Sequence, residues 1–423
     1  MKKSPLLLAF FLAAAGSAQN QSKKNSQPGP ERPGKIIAAQ VQQLDCQTRE
    51  QLAVFFRGLK AAGFNTVILR LFQNPGDGFH GLCVPGREKG FYFRTGSAPM
   101  VCDILETAAD EAHKAGLHFF AWVNSRYADY GIEDRFDLHG LAYDFETKSY
   151  QASKGLSIFH PEVQARLIAI YRDLAAYPID GVLVQDDLIM RHNEDFSAAA
   201  VLLYQKELGK RLSPDGLFQE VKLIEGKAHV GNYSAEFQAW QEWKAKKLLD
   251  LADRLRQSVR SQNPAIKFGF NFYYETGLKP DKGLAWFSQD VKMAGQRKYD
   301  FYSLMLYHRQ MGDELGLSGP ELENAASLAA GNFIAALPGL EPVIKFMAKD
   351  FKGSGPLPET ELERVVSKIE GRDRAGVAFF PVSRGMEKAL AQAIANWEGK
   401  DEKDNQRGAA CRGTACGVQA QER

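Results

Sequence analysis

The stretch Asp180–Met190, DGVLVQDDLIM, decides how this chain is read. Val182, Leu183 and Val184 form an apolar run of the kind buried on both faces of a parallel sheet, and the run stops on two adjacent carboxylates, Asp186 and Asp187, before Leu188, Ile189 and Met190 resume. Neighbouring like charges repel, so a carboxylate pair at the end of a buried strand calls for a chemical reason. Successive strand side chains point to opposite faces. One aspartate therefore faces a cleft at the strand's carboxyl end while its neighbour orients it or bonds an adjoining loop, and the sequence leaves open which is which. The plainer alternative is that one or both cap the next helix.

Seven similar runs surround this one: KIIAAQVQQL (35–44), FNTVILRLF (64–72), LHFFAWVNS (117–125), IKFGFNFYY (266–274), YDFYSLMLY (299–307), EPVIKFMAKD (341–350) and AGVAFFPVS (375–383). Helical patterns follow them, for example over 100–115, 161–177, 235–262 and 358–372. Near-continuous apolar strands must be covered on both faces, and eight strand-helix units predict an α/β fold: a single-domain (β/α)8 barrel of the TIM type over residues 35–398. The first eighteen residues, MKKSPLLLAFFLAAAGSA, carry basic Lys2 and Lys3, a short apolar run and small residues at the end, the layout of a cleavable signal peptide. Residues 19–34 and 399–423 are polar and poor in large apolar side chains, and read as a disordered linker and a disordered tail. A periplasmic or secreted protein follows, with no membrane span left after cleavage.

Composition narrows the function. The 423 residues are 44% hydrophobic and 25% charged, and the formal charge of +2 shows no basic block suited to nucleic acid. Five cysteines fit an oxidising compartment: Cys83 with Cys102 and Cys411 with Cys416 are the plausible pairs, leaving Cys46 over. No cysteine or histidine cluster has zinc spacing, so no metal and no cofactor are expected.

In such a barrel the site lies at the carboxyl ends of the strands. Those ends carry Asp45, Arg70, Gln73, Trp122, Asn124, Asp186, Asp187, Asn271, Tyr273, Tyr307, His308, Asp350 and Ser383. Aromatic faces stack on sugar rings, Asn and Arg bind hydroxyls, and carboxylates do acid/base work, so the collection predicts a carbohydrate site. Within it Asp45, Arg70, Trp122, Asn124, Asn271, Tyr273, Tyr307 and His308 are the expected substrate-binding residues, and the long segment 126–160 arches over the same face. Glycoside hydrolysis generally uses two carboxyl groups flanking the bond. Asp350 is the best-placed partner for the aspartate pair, with Glu275, Glu194, Asp195 and Asp45 as alternatives and a substrate's own N-acetyl group as a further nucleophile. His308 and His160 are either proton relays or structural.

GVLVQDDLIMRHNEDFSAAA (181–200), preceded by LSIFHPEVQARLIAIYRDLAAYPID (156–180), resembles the C-terminal glycoside-hydrolase domain of PgaB-type poly-β-1,6-N-acetyl-D-glucosamine deacetylases, a glycoside hydrolase family 153-like domain whose strand ends in His-Asp-Asp. The resemblance continues in AAGFNTVILRLFQNPGDG (61–78), GFYFRTGSAPMVCDILETAADEAHKAGLHFFAWV (90–123), NPAIKFGFNFYYE (263–275) and YDFYSLMLY, and covers most of residues 36 to 385. It implies a (β/α) barrel that cleaves partially deacetylated β-1,6-glucosamine polymer, a biofilm exopolysaccharide, with the Asp-Asp of the motif on Asp186 and Asp187 and the export machinery of that polymer as a partner. Gln185 replaces the motif's His, and YHRQM (307–311) stands where the family carries an acidic residue beyond strand six. The barrel pattern begins right after the linker, which leaves no room for the metal-dependent deacetylase domain, so deacetylation is not expected. Two alternatives share the barrel: a non-catalytic polysaccharide-binding or export module, and a hydrolase of another amino-sugar glycan.

Overall fold

The computed structural model describes residues 34–224, 227–353 and 355–399. Eight parallel strands close into a barrel: β1 (Ile37–Val41), β2 (Thr66–Arg70), β3 (His118–Val123), β4 (Gly181–Val184), β5 (Lys267–Tyr273), β6 (Phe301–Leu306), β7 (Pro342–Met347) and β8 (Gly376–Phe380). Each pairs with its chain neighbours, and β8 returns to β1 in parallel register, Val377 opposite Ile37. All eight lie inside the runs picked out from the sequence. Their near-unbroken burial is what a wall covered by helices outside and side chains within requires.

Glycines thin the wall where rings meet inside it. A side chain at Gly181 would stand 2.6 Å from the Phe120 ring, and one at Gly269 would stand 2.8 Å from the Phe301 ring. Phe120 of β3 and Phe301 of β6 are thereby free to approach to 5.4 Å across the lumen, filling its lower part. The upper part receives Trp122 of β3, edge-on to Phe380 of β8 at 5.4 Å.

Helices connect the strands. Arg49–Ala61 follows β1, Leu105–Lys114 follows β2, Pro161–Leu174 follows β3, and the 28-residue helix Ala235–Gln262 leads into β5. Thr48 and Ser234 begin two of them by accepting the backbone N–H of Gln51 and Phe237, which satisfies donors a helix start leaves unpaired. The helix expected over 358–372 spans Glu359–Ser367, and the one expected over 100–115 spans Leu105–Lys114.

Among the described residues three antiparallel ribbons stand outside the barrel, one pairing His139–Asp144 with Ser149–Leu156, one pairing Phe218–Ile224 with Lys227–Tyr233, and a short one pairing Phe72–Gln73 with Gly90–Phe91. The first occupies the middle of the segment 126–160. It is held to the loop after β4 by the Ala142–Glu194 bridge and by the buried ion pair of Arg126 with Glu194 at 2.8 Å. Cys83 and Cys102 form a disulfide across the loop between β2 and its helix, while Cys46 is buried and free. Cys411 and Cys416, like the signal and tail readings, lie outside the described residues. Among the described residues no helix is long and apolar enough to cross a membrane.

Candidate active site

At the carboxyl end of β4 the two aspartates part company. Asp187 is buried, and its oxygens accept four hydrogen bonds from the segment after β3: Ser125 N–H reaches both oxygens at 3.0 and 2.7 Å, Ser125 Oγ donates at 2.8 Å and Tyr127 N–H at 2.8 Å. Burial pushes the Asp187 carboxyl up to about 6, against these hydrogen bonds, and the charge of Asp186 adds a smaller push in the same direction. Asp187 therefore ties the β3 loop to β4. Asp186 is half-buried and faces the opening, where its Oδ2 accepts the Tyr273 hydroxyl at 3.1 Å. Burial raises its carboxyl as well; the Tyr273 hydrogen bond and the positive charges of Lys345 and Arg191 pull the other way.

The remaining floor comes from neighbouring strands. Gln185, Tyr273 and Tyr307 are half-buried beside Asp186. Tyr273 stacks on Phe287 at 4.2 Å, Tyr307 stacks on Phe380 at 5.8 Å, and the exposed ring of Phe351 meets Tyr307 edge-on at 5.4 Å. Beneath this floor, Asn271 donates to Val184 O at 3.2 Å and accepts from Lys345 Nζ at 2.5 Å, both side chains being buried. Phe287 also lines a cavity of about 420 Å³, together with Arg191, His192, Tyr233 and Trp286 among others.

The sequence-predicted residues divide accordingly. Asp186, Tyr273, Asn271 and Tyr307 come together on or under one floor. Trp122 is buried in the wall, edge-on to Phe72 and Phe380, and donates its indole N–H to Gln185 Oε1 at 2.5 Å, so neither face is offered to a sugar. Arg70 is buried and pairs with Asp77 at 2.8 Å, organising the loop after β2, and Asn124 donates to the Tyr130 hydroxyl at 2.8 Å. Asp45 pairs with Arg384 at 2.8 Å on the surface.

Asp350 and His308 belong to a separate cluster between the β6 and β7 loops. Arg309 binds Asp350 at 2.6 Å and Glu361 at 2.6 Å, and His308 Nε2 shares Glu361 at 2.9 Å. Hydrogen bonds from Lys352 N–H and Arg309 hold the Asp350 carboxyl below the usual range. Glu194 is paired with Arg126, and Asp195 accepts Leu141 N–H, Ser197 N–H and Ser157 Oγ. His160 caps the helix Pro161–Leu174. Glu275 differs: it is buried at the end of β5, Oε2 has no hydrogen-bond partner, and burial pushes its carboxyl up to about 7.

Lys345 and Phe351 were not anticipated. Lys345 had a signal, a lone cation inside the apolar run PVIKFM; Phe351 had none, lying just past the strand in an irregular loop. Among the described residues no group of His, Cys, Asp and Glu is arranged to hold a metal ion.

Comparison with known proteins gives this geometry a context. A family model described as GHL13, hypothetical glycosyl hydrolase family 13, matches residues 42–380. Poly-beta-1,6-N-acetyl-D-glucosamine N-deacetylases of Escherichia coli K12 and O157:H7 are each 25% identical over 281 residues, covering 63% of this chain and 36% of theirs. The match thus spans little more than a third of those relatives. The fold is similar to that of the PgaB (BpsB) glycoside hydrolase domain from Bordetella bronchiseptica, with TM-score 0.66, 20% identity and coverage of 85% of this chain and 99% of that one. It is also similar to the catalytic domain of a beta-amylase from Paenibacillus polymyxa, with TM-score 0.53, 10% identity and coverage of 87% and 98%.

Proposed function

The chain belongs to GHL13, hypothetical glycosyl hydrolase family 13, and from that premise we propose that it is an exported, periplasmic or secreted glycosidase that cleaves a β-1,6-linked, partially deacetylated N-acetylglucosamine polymer with Asp186 as its acid. The observation that carries this reading is the placement of Asp186, half-buried on an aromatic floor at the carboxyl end of β4 and held by Tyr273 at 3.1 Å. Burial raises its carboxyl above the ordinary aspartate value, the direction a general acid requires. The acid protonates the glycosidic oxygen, the bond from that oxygen to the anomeric carbon breaks, and water adds to the carbon while its second proton leaves to a base. Of the carboxyls weighed as the second group, Glu275 is the buried one with an oxygen lacking a hydrogen-bond partner, and the substrate's acetamido oxygen is the other source of a nucleophile. The amino-sugar polymer is inferred from the curated relatives, whose name specifies that glycan.

Incubation with partially deacetylated β-1,6-glucosamine polymer, alongside chitosan, tests the reading by product analysis. Shortened oligosaccharides from the first and none from the second are expected. Binding without cleavage would identify a polysaccharide-binding module, and cleavage of chitosan alone would overturn the linkage. Export is tested by the intact mass of protein recovered outside the cytoplasm, which should lack Met1 to Ala18.

A further inference from the structure

The geometry points to Lys345 as a positioning residue that sets the ionisation of Asp186 from inside the barrel. This rests on the reading of Asp186 as the acid. Lys345 lies in β7 opposite Met305 of β6 and Ala378 of β8, and its Nζ reaches past β6 to Asn271 Oδ1 of β5 at 2.5 Å. The side chain therefore runs through the lumen. From Asn271 the connection continues to both sides of the acid. Its Nδ2 donates to Val184 O, two residues before Asp186. Its own carbonyl accepts Gln289 Nε2 at 2.9 Å, Gln289 Oε1 accepts Tyr273 N–H at 3.0 Å, and the Tyr273 hydroxyl holds Asp186.

Charge gives the connection a direction. The titratable groups facing Asp186 are Asp187 beside it, Tyr273 from β5, Tyr307 after β6, Lys345 from β7 and Arg191 from the loop after β4. Arg191 is exposed and lies over the Phe287 ring at 5.2 Å, where solvent screens it, whereas Lys345 is 1% exposed. The residues in register with Lys345 on β6 and β8 are uncharged, and the charge that acts on Lys345 is that of Asp186. Burial pulls the Lys345 ammonium down to about 7, and Asp186 opposes that fall. Gln185, next to the acid, cannot titrate; its carbonyl oxygen serves Trp122. Lys345 is thus a buried titratable cation whose desolvation one amide oxygen does not offset, a situation found where charge serves function rather than stability.

A cation favours the carboxylate, so removing it raises the midpoint of Asp186. The test follows the Asp186 carboxyl carbon by NMR titration of the full chain, with assignment by Asp186→Asn, in the native protein and in Lys345→Met and Lys345→Arg. An upward move of about one pH unit in Lys345→Met, restored in Lys345→Arg, is expected. The pH–rate limb governed by Asp186 should move upward with it. An unmoved midpoint in folded Lys345→Met overturns the inference. Should Lys345→Met not fold, the reciprocal measurement decides: Asp186→Asn should lower the Nζ midpoint of Lys345, and an unchanged Nζ midpoint overturns the inference equally. Neither titration needs turnover, so failure to cleave the polymer would remove the proposed activity and leave this coupling to be judged on its own.

Discussion

Replacing Asp187 by Asn separates its charge from its shape. Asp187 Oδ2 accepts two backbone N–H groups, from Ser125 and Tyr127, while Oδ1 accepts Ser125 N–H and the Ser125 hydroxyl. An asparagine oxygen takes the Oδ2 position and keeps both backbone donors; its amide nitrogen takes the other, where the hydroxyl rotates to accept. The variant therefore folds and keeps the loop. What it loses is a carboxyl that burial has moved from 3.8 to about 6. At about 1.4 kcal/mol per pH unit, ionisation of Asp187 costs the folded protein about 3 kcal/mol more than it costs the unfolded chain. The folded state binds this proton more tightly, so the native protein keeps its full contribution below pH 3.8 and loses it as pH rises from there to about 6. Asparagine does not titrate. Urea unfolding of both proteins from pH 4 to 7 should thus show the difference moving by about 2 kcal/mol in favour of the variant, the carboxyls that do not interact with Asp187 cancelling between the two. A difference constant to within about 1 kcal/mol across that range would refute the claim that burial governs Asp187.

Asp186→Asn should fold, bind polymer and lose on the order of 10²-fold or more in turnover, the scale of a general acid; near-full activity on a polymer the native protein cuts would remove Asp186 from the chemistry. Trp122→Ala should lower stability by about 3–5 kcal/mol in denaturant unfolding, because it empties a buried contact with Phe72 and Phe380, and a loss below about 1 kcal/mol would mean the ring is not part of the packed wall. Removing the Cys83–Cys102 disulfide, which closes a loop with sequence separation 19, should lower stability by about 3 kcal/mol, measured as the difference between oxidised and reduced protein.

What the sequence discloses follows from what its periods encode. A strand covered on both faces must be apolar throughout, which is why all eight barrel strands stand out as runs such as VLV and FAWV. The ribbons do not stand out. Ser149–Leu156 is polar and largely exposed, and Phe218–Ile224 is exposed after its first residue, so neither shows the alternation that marks a half-buried strand. The site shows the same division. That one aspartate would face the opening and the other a loop is contained in strand alternation, but which one depends on donors at Ser125 and Tyr127, sixty residues earlier in the chain. Asp350 reads well as a strand-end carboxylate until Arg309, from another loop, folds onto it. Long-range partners of this kind leave no local pattern.

The two aspartates show how a repelling pair persists at the end of a buried strand. Four hydrogen bonds converge on Asp187, all from the segment after β3, so its charge is met by donors that a loop running over the barrel mouth would otherwise leave unpaired. Asp186 accepts a hydroxyl from Tyr273 and lies in the field of Lys345, both anchored through Asn271. The first carboxylate is held by the backbone N–H groups of Ser125 and Tyr127 and by the Ser125 hydroxyl; the second has a lighter hold, from the Tyr273 phenol within the field of Lys345. A proton donor needs that lighter hold, since it has to turn an oxygen toward the glycosidic bond, and both oxygens of Asp187 are already taken by Ser125 and Tyr127. The pair is therefore asymmetric by construction: one member builds the mouth of the barrel so that the other can be left open in it.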